Sequence, residues 1–219
     1  MSQVIPMMGR KLGQTTFIEE SGRATHVTLI QLGPCVVIQK KTAEKEGYHS
    51  LQLGFEERKE KSVSKSLAGH FKKSGATPKK VLREMRVVDA NPYQVGQTLS
   101  VDQFNGVKFV DVTGVTKGKG FQGAVRRHGF RGGKGAHGSM HHRQPGGIGA
   151  SSDPSRVLPG TRMPGHMGVD QRTVLNLRVV KVDAEKNLLF VAGAVPGSNK
   201  GLVTVSPSIK KPAAAKAGA

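Results

Sequence analysis

Residues 114–168 constrain this chain most. Those 55 residues hold 15 glycines, nine Lys or Arg, five of the eight His and a single acid, Asp153. No apolar period of a helix or a strand runs through them, so the segment offers no stripe or face to bury. A structureless loop beyond about 15 residues is uncommon in a compact domain unless it is functional or folds on a partner. Residues 114–168 are therefore expected to leave the folded body as a basic, glycine-rich extension.

The flanks carry strand signals. Val27 and Leu29, and Leu51, Leu53 and Phe55, alternate, and Gly33-Pro34 ahead of Cys35-Val36-Val37-Ile38 reads as a turn and a buried strand. Residues 107–115 read as a further strand. Residues 174–182 and 188–195 flank Asp183-Ala184-Glu185-Lys186-Asn187, a hairpin with a five-residue connection. Only Val63, Leu67 and Phe71 recur at helical spacing, in a charged stretch that reads as a small insertion. Several short strands between turn signals predict a barrel, whose core closes only if the N-terminal and C-terminal strands meet. The expected fold is mainly β with minor α. Its body comprises residues 1–113 with 169–207, a small α+β insertion lies at about 56–100, the extension spans 114–168, and residues 208–219 form a flexible tail.

Charge selects the partner. Of 219 residues, 34 are Lys or Arg and 15 are Asp or Glu, a net +19. Such an excess calls for a polyanion, nucleic acid before acidic lipid. Trp is absent and aromatics make up 5% of the chain, which excludes recognition built mainly on base stacking. The single Cys35 excludes an intrachain disulfide framework and a cysteine zinc ribbon. Residues 1–9 have no secretory leader pattern and the longest apolar run, 188–195, is too short to cross a bilayer. A soluble, cytoplasmic protein is expected.

The enzyme motifs within reach are incomplete. Gly118-Lys119-Gly120-Phe121-Gln122-Gly123 fits G-x-G-x-x-G, but a dinucleotide site needs a packed helix behind the loop and an acid about 20 residues on. Ala124-Val125-Arg126-Arg127-His128-Gly129 follows instead, and no acid precedes Asp153. A kinase would need a catalytic Asp near His142-Arg143-Gln144 and an Asp-Phe-Gly, and a Walker loop would need Gly-Lys-Ser/Thr at Gly123-Ala124-Val125. His137 and His141 stand four apart, yet Gly135 and Gly138 oppose the helix that would bring them together on a metal. Nothing orients Ser151, His142 and Asp153 as a triad. No catalytic residue, metal or cofactor is assigned.

Lys40-Lys41, Lys72-Lys73 and Lys79-Lys80 have Glu44, Glu46, Glu56 and Glu57 to balance them and read equally well as solvated surface. On the extension almost nothing offsets Lys117, Lys119, Arg126, Arg127, Arg131, Lys134, Arg143, Arg156 and Arg162. Lysines act there as point charges, arginines as forks for phosphate or stacking, and His137, His141, His142 and His166 as neutral donors to phosphate, ribose or base.

At these residues the chain resembles a known family. Phe104, Asp111, Gly114, Thr116, Gly118-Lys119-Gly120, Gly123 and Arg127 are similar to the signature of the universal large-subunit ribosomal protein L-three family in its bacterial form. So are Gly9-Arg10-Lys11-Leu12-Gly13, Ala68-Gly69-His70-Phe71, the run from His142 through Gly149, the run from Gly160 through Gly168, and the run from Asn187 through Gly197. The resemblance implies a translation-factor-like β-barrel body and an extension that enters large-subunit (23S) rRNA. It further implies direct binding early in assembly near the rRNA 3′ end, beside neighbouring large-subunit proteins in the bacterial 50S subunit, without membrane or homo-oligomer. The tip near the peptidyl transferase centre would be Gln144, Pro145, Gly146, Gly147, Ile148, Gly149, Ala150, Ser151, Ser152 and Asp153. Ala150 stands where some members carry a methylated glutamine, so that modification is excluded, and Gln14, His128 and Gly147 replace other frequent residues. A free-standing architectural or chaperone-like nucleic-acid binder is the alternative reading.

Overall fold

The computed structural model describes residues 4–211, which divide into two compact units: residues 4–115 with 171–211, and Thr116–Asp170. In chain order the elements of the first unit begin with β1 (Met7–Ile18), β2 (Ala24–Leu32) and β3 (Cys35–Lys41). A single turn of helix, α1 (Ala43–Glu46), leads into β4 (Ser50–Glu57), helix α2 (Lys65–Ser74), β5 (Lys79–Arg86), β6 (Thr98–Leu99) and β7 (Phe109–Val115). The second unit contributes β8 (Phe121–Gln122), α3 (Ala124–His128) and β9 (Gly165–His166). The chain then returns through β10 (Gln171–Asp183), β11 (Leu188–Ala192) and β12 (Leu202–Pro207).

Six antiparallel strands close on themselves in the order β1-β12-β7-β10-β11-β2. The closing pairs join the ends of the chain: Met7 faces Val205 and Gly9 faces Val203, while Gly9 also faces Leu32 on β2. The period of two explains why these segments form strands with one wet face. Leu189 and Val191 on β11 and Val203 and Val205 on β12 are buried, and the residues between them are more exposed; on β7, Val110 and Val112 are buried with Asp111 between them buried too. A bulge at Leu12 shifts the β1–β2 register between Lys11 and Gly13, which bends the strand as barrel closure requires.

A second sheet in the order β5-β4-β3-β6 shares one apolar core with the barrel. Cys35, Val37, Leu51, Leu53, Phe55 and Met85 join Ile5, Met8, Ile30 and Phe104 in that core. Helix α2 forms at the spacing read from Leu67 and Phe71, and Phe71 is its buried residue; Val63 lies ahead of it. Gly75 stops it in the left-handed conformation, its amide returning to the Lys72 carbonyl. The second sheet draws on residues from Cys35 to Leu99.

The β10–β11 hairpin differs by one residue from the sequence reading. Asp183 is still paired, with Leu188, and its carboxylate accepts the Lys186 amide, so the connection is 184–187. Buried Asp111 ties β7 to its surroundings by accepting the Asn176 amide at 2.7 Å. Ser208 is buried too, its amide reaching the Phe109 carbonyl and its hydroxyl donating to Asn176 at 2.6 Å. The rest of the expected tail, 212–219, lies outside the described residues. No described helix is long and apolar enough to cross a membrane.

Candidate nucleic-acid interface

The second unit is held at its base by backbone. The Thr116 amide bonds to the Asp170 carbonyl at 2.9 Å, Lys119 to Met167 at 2.9 Å and Met167 to Gly120 at 2.9 Å. Above these, β8 and β9 pair Phe121 with His166 and Gln122 with Gly165. The two chains approach so closely that Gly168, with φ +86, leaves no space for a Cβ: it would meet the Lys117 carbonyl and the Gly118 Cα.

The residues after the glycine loop do form a helix, contrary to the reading that nothing helical follows it. It is one short stretch, α3, capped at Gly129 with φ +75. Its local propensity is modest; it is fixed instead by two donors reaching the same acceptor. Arg127 Nη1 donates to the Met163 carbonyl at 2.7 Å and His128 Nε2 to the same oxygen at 2.9 Å. Arg126 donates to Gln122 Oε1 at 3.3 Å. The acid that a dinucleotide ribose would need is still missing, since the unit contains only Asp153 and Asp170.

Beyond α3 the two arms touch through the Gly133 amide on the His142 carbonyl and the His142 Nδ1 on the Lys134 carbonyl at 3.0 Å. His141 Nδ1 donates to Gln144 Oε1 at 2.6 Å. His142 thus turns to the backbone and not to Asp153. Among the described residues no three of His, Cys, Asp and Glu converge as a metal cage would require. Residues 140–162 are exposed throughout, the ten tip residues included.

Lys117, Lys119, Arg126, Arg127, Arg131, Lys134, Arg143, Arg156 and Arg162 are all exposed, as are His137 and His166. The ion pairs among the described residues lie elsewhere: Arg10–Glu56, Lys41–Glu84, Lys79–Glu57, Lys80–Glu56 and Arg178–Glu19. So every salt bridge among the described residues lies on the body, and the extension has none. Lys41, Lys79 and Lys80 sit in such pairs, which favours the solvated-surface reading for them. The Arg10 guanidinium holds the Glu56 carboxyl below its ordinary range, and Arg178 does the same to Glu19. Burial pushes the Cys35 thiol up to about 11, which leaves it a protonated core residue at neutral pH.

Two features escaped the sequence. The anchoring of Arg127 and His128 on Met163 links residues about 35 apart, and no periodicity marks it. Lys11 is buried and donates to the Val195 carbonyl at 2.7 Å; a lysine carries no sequence signal for burial.

The profile of the family described as Ribosomal protein L3 matches residues 86–188. Large ribosomal subunit protein uL3 of Corynebacterium jeikeium (strain K411) is 51% identical over 205 residues, 93% of this chain and 94% of its own length. The protein of the same name from Pelotomaculum thermopropionicum is 50% identical over 204 residues, 93% of this chain and 97% of its own. That from Carboxydothermus hydrogenoformans is 49% identical across the same shares. Likeness of this depth runs through the barrel, the second sheet and the basic unit alike, and the chain belongs to the ribosomal protein L3 family.

Proposed function

We propose that this protein is a structural constituent of the bacterial large (50S) ribosomal subunit, in the cytoplasm, that binds large-subunit (23S) rRNA directly. Binding occurs early in assembly near the rRNA 3′ end, beside neighbouring large-subunit proteins. The body seats on the subunit and the extension reaches toward the peptidyl transferase centre, where residues 144–153 support the RNA. The observation that carries this reading is the concentration of unanswered charge: nine exposed cations against one acid in the glycine-rich residues 114–168, where none of the five salt bridges among the described residues falls. Glycine brings backbone amides close to a phosphate strand, and unpaired Lys and Arg release its counterions. No side chain acts as acid, base or nucleophile in this role. Positioning is the contribution, and RNA supplies any chemistry.

A salt series on an in vitro transcribed 23S rRNA domain tests it. Each neutralised phosphate adds about 0.7–0.9 to the slope of log affinity against log salt, so six to nine contacts give a slope of about 4–8. Cosedimentation with large subunits after a high-salt wash is expected as well. A flat salt response, or release in the wash, would remove the proposal.

A further inference from the structure

The β8–β9 ladder has two faces, and only one is covered. Directly opposed residues of an antiparallel pair project to the same side, so Gln122 and Gly165 share one face while Phe121 and His166 share the other. Helix α3 takes the first. Arg126 reaches Gln122, and the Arg127 guanidinium lies so near Gly165 that a Cβ there would stand 2.8 Å from Nη1. On the second face Phe121 is 77% exposed and His166 is exposed beside it. Lys117 and Lys119 precede the ladder, both exposed, and no acid occurs between Thr116 and Ser152.

We infer that Phe121, with His166 next to it, is a stacking platform for one unpaired nucleobase of rRNA, with Lys117 and Lys119 receiving the phosphates of that nucleotide and its neighbour. The inference rests on the RNA-binding role proposed above and deepens it. A phosphate alone would give a phenyl ring no reason to stand in water. An apolar protein patch would have to desolvate the adjoining ammonium groups, which is costly without paired charge. A nucleotide offers both halves of the match, a flat π-face attached to an anion. The poverty of aromatics elsewhere on the unit limits this to one base and not a stacked run.

The test compares the full-length protein with Phe121→Ala and Phe121→Tyr on an in vitro transcribed 23S rRNA domain across a salt series. Phe121 is so exposed that neither change removes core packing. Losing one base–aromatic stack is expected to weaken binding by about 5- to 100-fold, with the salt slope unchanged because no charge is altered, and Phe121→Tyr keeps the affinity. With 4-thiouridine in the transcript, light-induced adducts are expected at Phe121 or His166. The inference is overturned if Phe121→Ala binds like the parent protein. It also falls if the loss appears only when other large-subunit proteins are present, which would make the occupant a protein. Failure of the underlying reading looks different, since the parent protein itself would then bind the transcript with no salt slope.

Discussion

Gly168 and Gly135 look alike in the sequence and differ in what surrounds them. At Gly168 the backbone is left-handed and an added Cβ would press on the Lys117 carbonyl, whereas at Gly135 nothing lies within 4 Å. Gly168→Ala should open the base of the extension at a cost of about 1–3 kcal/mol. Hydrogen exchange at the Lys119 and Met167 amides would then speed up by about ten- to a hundredfold. Gly135→Ala should leave those rates alone, and equal effects from the two changes would contradict the geometry. A second residue-scale outcome concerns acid. The Arg10 fork bonds both Glu56 oxygens, at 2.6 and 2.9 Å, and depresses the carboxyl pKa. A lowered folded pKa gives stability that is present above the ordinary glutamate value, about 4.3, and is lost as pH falls through the lower, folded one. Both side chains are partly exposed, so the pair contributes no more than about 1 kcal/mol. The melting-temperature gap between the parent protein and Glu56→Gln should accordingly be open at pH 6–7 and close below about pH 4; a gap that widens in acid would reverse the sign.

Elements differ in how far the sequence announces them. Part of the barrel was legible because one face is dry: the strand read over 188–195 contains β11, where Leu189 and Val191 alternate with wetter neighbours, whereas β12, with the same alternation at Val203 and Val205, was not read from the sequence. Strand β5 was not legible, since Lys79, Lys80, Arg83 and Arg86 crowd an edge strand in which only Met85 is fully enclosed. Nor were β8 and β9, two residues each, whose partners lie more than 40 residues away. The cations of the interface were legible as composition, but their freedom from ion pairs was not, because pairing depends on which acids the fold brings near. These differences predict exchange rates. In the free protein the amides of Thr116, Lys119, Met167, Arg127 and Gly129 all have backbone acceptors, while exposed residues 140–160 have few and should exchange within the fastest class. The barrel strands should be slowest. On rRNA, protection should spread into 129–162, since that segment has too little apolar surface to hold itself ordered in water. Strong protection of 140–160 in the free chain would contradict this.

At the scale of the whole molecule, the proposed role assigns affinity and positioning to different parts of the chain. The body holds the salt bridges, Arg10–Glu56, Lys41–Glu84, Lys79–Glu57 and Arg178–Glu19 among them. The stem of the extension carries Lys117, Lys119, Arg126, Arg127, Arg131, Lys134, Arg143 and Arg162, and the stretch 144–158 carries only Arg156. That stretch is rich in Gly and Pro and has exposed Ile148, Val157 and Leu158, a composition suited to close packing against RNA more than to neutralising it. Replacing 144–158 by a short Gly-Ser linker should therefore keep most of the affinity for the rRNA domain and lower the salt slope by about one contact's share, 0.7–0.9. Changing Arg131, Lys134 and Arg162 together to Gln should lower the slope by about 2–3 and weaken binding across the whole salt range. The linker protein should instead fail later, as slowed subunit maturation or a slower peptidyl transfer rate in subunits that do form. Because positioning alone is at stake, that rate should drop by no more than about a hundredfold. A linker protein that loses rRNA affinity as completely as the triple Gln protein would show that the tip, and not the stem, holds the RNA.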